Sequence, residues 1–201
     1  MKYFRRVKTD IDVRPFLVEI ASIPEAWSLN TGRQDKIAVQ REAEAIPIRG
    51  IVKSKIAGRA LWDVHESRFT NSSRKLVLAR DFLQSFADER TAELGRAKIV
   101  RLMPGRRVYP HIDRGEYYRL RDRYHLVLRS AAGSYLKSGN ETVRMREGEL
   151  WWFDNKQVHE AYNDGEHARV HLIFDLLPPS RIAEVYGKAS ESTPEAVKAV
   201  A

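Results

Sequence analysis

The chain reads as a mainly β protein with flanking helices, folded as a double-stranded β-helix of the jelly-roll, cupin-like kind. Three observations predict this. Short segments of alternating apolar and polar residues succeed one another from Ala97 to Leu176, turn-forming residues divide them, and one long amphipathic segment precedes them. Alternation with a period of two marks strands that bury one face, and closely spaced strands of this kind close into a jelly roll.

Taken in order, the first fifty residues are mixed. Thr9-Asp10-Ile11-Asp12 offers capping side chains to a short helix over Val13–Ala21, with Pro15 near its start. Gln34 to Ala45 is too polar to assign. Ala45 to Val52 alternates as a strand, and Pro47 within it suits an edge. Asn71-Ser72-Ser73 precedes the clearest helix, Arg74 to about Leu94, in which Val77, Leu78, Phe82, Phe86 and Leu94 form an apolar stripe that ends at Gly95.

Eight strands are then expected: Ala97–Met103, Arg107–Asp113, Arg123–Ser130, Ser134–Lys137, Glu141–Met145, Glu149–Asp154, Val158–Asn163 and Ala168–Leu176. Pro104-Gly105, Ala132-Gly133, Ser138-Gly139-Asn140, Glu147-Gly148 and Asp164-Gly165-Glu166 supply the turns between them. Pro178-Pro179 ends the sheet, a short helix covers Arg181–Tyr186, and Ala189–Ala201 reads as a mobile tail. The expected organisation is one domain: an N-terminal helical and mixed segment (1–96) packed on a β-helix core (97–179), then the short helix and tail (180–201).

Composition narrows the function classes. The 201 residues include no cysteine, which removes disulfides, iron–sulfur clusters and thiolate zinc sites, so any metal must be held by His, Asp or Glu. The formal charge of +8, from 35 basic and 27 acidic residues, invites a nucleic-acid partner, but the basic residues are scattered without a run of five. An acidic small molecule suits that pattern better. No apolar run approaches a membrane span and the N-terminus lacks a signal-peptide core, so the expected location is the cytoplasm.

His111-Ile112-Asp113 puts an imidazole and a carboxylate two apart on a strand, where both face one side. His159, from a strand distant in sequence, can join them in a rolled sheet. Two imidazoles and one carboxylate form the facial triad of non-haem Fe(II) oxygenases, which leaves open positions on the metal. Arg169 shares a strand face with His171 and Ile173, opposite Val170, Leu172 and Phe174, and its planar guanidinium suits bidentate pairing with a carboxylate. The competing reading makes His159 a core histidine and Arg169 an ordinary ion-pair partner.

The segment from Arg114 to Tyr124 joins the metal strand to the next and reads as a loop near the mouth of the site. Arg123, two residues before His125 and therefore on its face, is the best candidate to read a substrate carboxylate. Arg119 is a second candidate, equally readable as solvated surface, as is Arg121. Tyr117 and Tyr118 could close over the apolar part of a ligand. His65, His167 and Glu160 read as incidental surface or supporting groups, while His171 reads either as a packed imidazole or as a cosubstrate-orienting one. Trp151 and Trp152 face opposite sides, and at least one belongs to the core.

Several stretches carry a family likeness: Pro110-His111-Ile112-Asp113, Arg123-Tyr124-His125-Leu126-Val127-Leu128, Gly148-Glu149-Leu150-Trp151-Trp152-Phe153-Asp154, His159-Glu160-Ala161-Tyr162-Asn163 and Arg169-Val170-His171-Leu172-Ile173-Phe174-Asp175. In this order they resemble the aspartyl/asparaginyl β-hydroxylase family of 2-oxoglutarate oxygenases, which includes bacterial cis-proline hydroxylases. The N-terminal half resembles it only through Ile46-Pro47-Ile48-Arg49.

The resemblance implies Fe(II) bound through His111, Asp113 and His159, 2-oxoglutarate held by Arg169 at its distal carboxylate with His125 as a further contact, and O2 as the third reactant. Some protein-directed members of the family have Gly where this chain has Asp113, whereas the proline hydroxylases keep the acid. That favours a free amino acid over a peptide as substrate. Two other readings stay open: an oxygenase repairing alkylated nucleic acid, which would place a second arginine where this chain has Asp175, and a non-catalytic cupin-like metal-binding module. Nothing in the sequence specifies an oligomeric state.

Overall fold

The computed structural model describes residues 1–29 and 38–187. Its strands, in chain order, are β1 (Phe4–Lys8), β2 (Ala43–Ile51), β3 (Ser67–Phe69), β4 (Glu93–Leu102), β5 (Arg106–His111), β6 (Asp122–Arg129), β7 (Ser134–Ser138), β8 (Glu141–Val143), β9 (Leu150–Phe153), β10 (His159–Asn163) and β11 (Arg169–Leu177). One sheet runs β1-β9-β6-β11-β4-β2-β3 and the other β5-β10-β7-β8, with every pairing antiparallel. From β4 onward the chain passes back and forth between the two sheets, as a double-stranded β-helix does.

All eight expected core strands are present, with ends shifted by a few residues. Among the described residues four helices flank them: α1 (Arg14–Ala21), α2 (Val77–Glu89), α3 (Glu116–Leu120) and α4 (Ile182–Tyr186). Phe16 and Ile20 of α1 and Leu83 and Phe86 of α2 pack on Ile46, Ile99, Leu126, Leu172 and Phe174, the outer face of the larger sheet. Each such side chain, once buried, contributes on the order of 1.5–3 kcal/mol. Between the sheets lies a second core that includes Val100, Leu102, Val127, Leu136, Trp151 and Phe153.

Several expectations need correction. Helix α2 stops at Glu89, because Thr91 adopts a positive φ of 49° and turns the chain, so Leu94 and Gly95 belong to β4. The buried stripe is Ala79, Leu83, Phe86 and Ala87, while Val77 and Leu78 are exposed. In front of α2, Asn71–Lys75 forms a 3-10 turn capped by the Thr70 side chain. Gly95 ends no helix. A Cβ there would meet the Tyr117 hydroxyl at 2.6 Å and Arg121 Nη1 at 2.7 Å, so the glycine lets buried polar side chains approach the strand.

The N-terminal residues also do more than pack on the core. β1 adds an edge to the larger sheet by pairing with β9, and β2 and β3 extend its other side. β1 is hard to read in sequence because Arg5, Arg6 and Lys8 leave only Phe4 fully buried. Pro47 does sit where β2 lacks an outer neighbour, since β3 pairs only with Arg49–Ile51. Ala189–Ala201, and Gln34 to 37 of the unassigned stretch, lie outside the described residues.

Candidate metal and cosubstrate site

His111 ends β5 and His159 begins β10, and the two are direct cross-strand partners. Their rings stand 4.2 Å apart, centre to centre. Asp113 lies past the end of β5, so it reaches the pair from the turn rather than from the strand face the spacing suggests; its backbone N–H donates to the Asn155 carbonyl at 3.3 Å. Nε2 of His111 is 3.9 Å from Asp113 Oδ1, and Nε2 of His159 is 3.8 Å from Asp113 Oδ2. One ligand atom from each of the three residues lies within 4.8 Å of the others, a cluster that could hold a metal ion.

Supporting contacts fix the orientation of all three. Nδ1 of His111 donates to the Tyr109 carbonyl at 2.8 Å, and Nδ1 of His159 donates to the Gln157 carbonyl at 3.0 Å. With the protons there, both Nε2 lone pairs face Asp113, the tautomer that metal-ligating imidazoles need. Asp113 Oδ2 accepts from Arg123 Nη1 at 2.5 Å and from Asn155 Nδ2 at 3.0 Å. Burial pushes the Asp113 carboxyl up, but Arg123, His159 and Asn155 outweigh it and hold the pKa down at about 2. Burial lowers His159 to about 4, against the opposing pull of Asp113. At neutral pH the trio is one carboxylate and a neutral His159 beside His111.

The same cavity, of about 310 Å³, is lined by His111, His159, His125, Arg169, Arg123 and Tyr118. Arg169 is 3% exposed and, among the described residues, faces no carboxylate and leaves Nη2 without a hydrogen-bond partner. Burial alone lowers its pKa to about 9, so it stays charged at neutral pH. Nδ1 of His125 lies 3.3 Å from Nδ1 of the buried His171. Burial, reinforced by the Arg169 cation, holds both rings well below the usual histidine range.

Arg123 lines the cavity, yet its guanidinium is engaged. Nε and Nη2 donate to the two oxygens of Asp175 at 2.8 and 3.1 Å, and Nη1 holds Asp113. Tyr118 lies under it, with the guanidinium 4.9 Å from the ring centre. Tyr117 and Arg119 are not at the cavity. Helix α3 replaces the expected loop and turns Tyr117 inward, where its hydroxyl accepts from Arg96 N and donates to Asp175 Oδ2 at 3.2 Å; Arg119 points to solvent and pairs with Glu184.

Two further expectations change with burial. Arg121 is no surface group: it is buried against Glu93 and His65. His65 is itself fully buried. Sequence reasoning also missed Asn155 and the pairing role of Asp175. Both act through a neighbour distant in the chain, and no local pattern signals such a contact.

Among the described residues no helix is long and apolar enough to cross a membrane. A segment of L-proline cis-3-hydroxylase 1 from Streptomyces sp aligns at 36% identity over 72 residues, which is 34% of this chain and 25% of that protein, so the chain matches about a quarter of its relative's length. Among solved structures, a Pseudomonas putida prolyl-4-hydroxylase superposes with a TM-score of 0.53 at 16% identity, over 87% of this chain and 92% of that one. The non-haem monooxygenase ThoJ, solved with nickel, superposes at 0.51 and 12%, over 88% and 74%. These two show a shared fold. Residues 33–179, which hold both sheets' core strands and every group lining the cavity, match the family profile described as Aspartyl/Asparaginyl beta-hydroxylase, and the chain belongs to that family.

Proposed function

We propose that the protein is an Fe(II)- and 2-oxoglutarate-dependent dioxygenase that hydroxylates an aliphatic C–H of an amino acid, either free and proline-like or as an Asp- or Asn-type residue in a peptide. One observation carries the reading: His111 and His159, clustered with Asp113, line the same cavity as Arg169, a buried guanidinium with an Nη2 unpaired among the described residues. Two imidazoles and a carboxylate are the donor set that suits Fe(II) with open positions. An unpaired buried cation suits a carboxylate ligand. Family membership and the partial likeness to an L-proline cis-3-hydroxylase point the same way.

Bound iron with 2-oxoglutarate and O2 would supply the oxidising power that no side chain has. The chain's own residues bind and orient. His111, Asp113 and His159 would hold the metal, with the Tyr109 and Gln157 carbonyls keeping the imidazole lone pairs directed at it. Arg169 and His125 would take the distal carboxylate of 2-oxoglutarate. Val108, Leu136, Phe153 and Ile173 give the cavity apolar walls that exclude water.

On the substrate side, Arg49 and Arg96 line the cavity and donate to backbone carbonyls of Gly95, Ser67, Trp62 and Val64 rather than to acids. Their charge suits a substrate that carries a carboxylate. Arg123 can contribute through its remaining N–H groups while it holds Asp113, and Tyr118 offers an aromatic wall.

A screen of free amino acids, Asp- and Asn-containing peptides and an alkylated oligonucleotide for substrate-stimulated succinate formation tests the reading. An amino acid or peptide should stimulate turnover. Stimulation by the oligonucleotide alone would favour nucleic-acid repair. No succinate with any compound, from protein that retains metal, would leave a cupin-like binding module.

A further inference from the structure

His125 on β6 and His171 on β11 occupy neighbouring strands of the larger sheet, and both are buried, at 4% and 1% exposure. Their rings meet edge to face at 88°, with the two Nδ1 atoms 3.3 Å apart. Two neutral imidazoles can share that contact in only two ways, because one Nδ1 must carry a proton and the other must not.

The two arrangements are not equivalent. Nε2 of His171 is buried and, among the described residues, has no partner. If His171 accepted at Nδ1, its own proton would sit on Nε2 as an N–H orphaned in the core, close to the Arg169 cation that acts on this ring. An unpaired lone pair near a cation is the milder fault, and orphaned buried N–H groups are the rarer of the two kinds. His171 therefore carries its proton on Nδ1 and donates to Nδ1 of His125. That leaves the His125 proton on Nε2. His125 lines the cavity beside Arg169, and among the described residues its Nε2 has no partner.

We propose that His171 is a positioning residue that holds His125 in the Nε2–H tautomer, so that the cavity presents a fixed, neutral hydrogen-bond donor next to the Arg169 guanidinium. A donor and a cation side by side suit one carboxylate, whereas the opposite tautomer would aim a lone pair at it. The tautomer follows from the buried contact and the orphaned Nε2 of His171. Its purpose rests on the reading of Arg169 and His125 as the 2-oxoglutarate carboxylate site.

The test is the tautomer itself, read from two-bond proton–nitrogen correlations in 15N-histidine protein loaded with Zn(II). The expected result is a protonated Nε2 and bare Nδ1 in His125, with the reverse in His171. In His171→Phe, which keeps the bulk and loses the donor, His125 should become a mixture of tautomers. Affinity of the Zn(II)-loaded protein for 2-oxoglutarate should then fall about tenfold, the effect of one lost hydrogen bond. His171→Asn, whose amide can donate from near the Nδ1 position, should restore both. Wild-type His125 protonated on Nδ1 would overturn the proposal, as would a His125 tautomer unchanged in His171→Phe. Should that variant fail to fold, the wild-type spectrum decides alone. Wild-type protein that shows the expected tautomers but binds no 2-oxoglutarate would refute the cosubstrate reading and leave the tautomer relay standing.

Discussion

The two ends of the cavity treat charge in opposite ways. At the metal end each charged group is matched: Asp113 takes Arg123 and Asn155, Arg123 takes Asp175 with two parallel bonds, and Asp175 also accepts from Tyr117. At the other end Arg169 and His171 each keep a buried nitrogen without a partner. Asn155 Oδ1 at the metal end also lacks a partner among the described residues, so the difference lies in charge: buried cations are normally paired, and the end whose cation stands unpaired is the one shaped by something other than folding. The matched end is preorganised by those contacts. The unmatched end carries a cost in the ligand-free protein that an anionic ligand would offset.

Replacing the two histidines at the matched end should have the largest effect. His111→Ala and His159→Ala should weaken binding of a divalent metal at least about a hundredfold, beyond the loss seen when only supporting contacts go, and abolish turnover. The melting temperature of the metal-free protein should move little in His111→Ala, whose ring is only partly buried, and somewhat more in His159→Ala, whose buried ring packs edge to face on Phe153. Calorimetric metal titration beside a thermal melt separates the two outcomes. A large loss of stability would mean that these histidines serve the fold first.

Arg169 sharpens the contrast. Arg169→Ala should weaken 2-oxoglutarate binding by about 3–5 kcal/mol, a factor between about 150 and several thousand, because it leaves a buried carboxylate unpaired. Arg169→Met should do the same to the ligand yet raise the melting temperature of the ligand-free protein by about 2–8 °C, since an uncompensated charge leaves the interior. No gain in stability would show that Arg169 is already compensated, and the comparison between the two ends would fail.

A smaller effect is expected from Asp175→Asn. It replaces the carboxylate that grips the Arg123 fork, so Arg123 stays buried but less well aimed at Asp113. Metal affinity should fall about tenfold, in the range typical of groups that orient a ligand, and 2-oxoglutarate affinity measured at saturating metal should fall less. Equal losses for both ligands would mean that Asp175 supports the whole cavity rather than its metal end.

The contrast also bears on what was legible in sequence. Strands β4 to β11 were readable because alternation and turn residues are local properties, and the meeting of His111 with His159 because both sit at strand ends that the β-helix brings together, with Asp113 just past one of them. Arg169 showed on the strand face with His171 for the same reason. The groups that hold Asp113 and Arg123 did not. Asn155 and Asp175 act across long sequence separations, and Leu94 fits both a helical and an alternating pattern, which is why the end of α2 was misplaced. Arg121 and His65 look like surface groups by type; only the tertiary structure, with Gly95 leaving room beside β4, buries them.

The last and smallest prediction concerns His65, which lies in the network behind the metal end. Nδ1 of His65 accepts from Nε of the buried Arg121 at 3.3 Å, so its proton sits on Nε2, 3.6 Å from Glu116. Burial, followed by the Arg121 and Arg59 cations, lowers its pKa to about 4. Protonating Nδ1 would set two donors against each other. In the unfolded chain the same ring titrates near 6.5. As pH falls below that value the unfolded state takes up a proton that the folded state refuses, so the stability His65 contributes is complete above about pH 6.5, declines between there and about pH 4, and declines no further below. The full shift corresponds to about 3 kcal/mol, and relaxation around a charged ring should reduce it toward about 1 kcal/mol. His125, His159 and His171 are also held neutral and give the protein a similar slope, so the informative quantity is a difference. His65→Asn places an amide oxygen where Nδ1 accepts from Arg121 and cannot titrate. Its unfolding free energy should drop less between pH 7 and pH 5 than that of wild type, by a margin that urea titrations at the two pH values can resolve. Parallel losses in the two proteins would mean that the folded protein protonates His65 with ease, through Glu116, and that the network behind Asp113 is less tightly closed than its hydrogen bonds suggest.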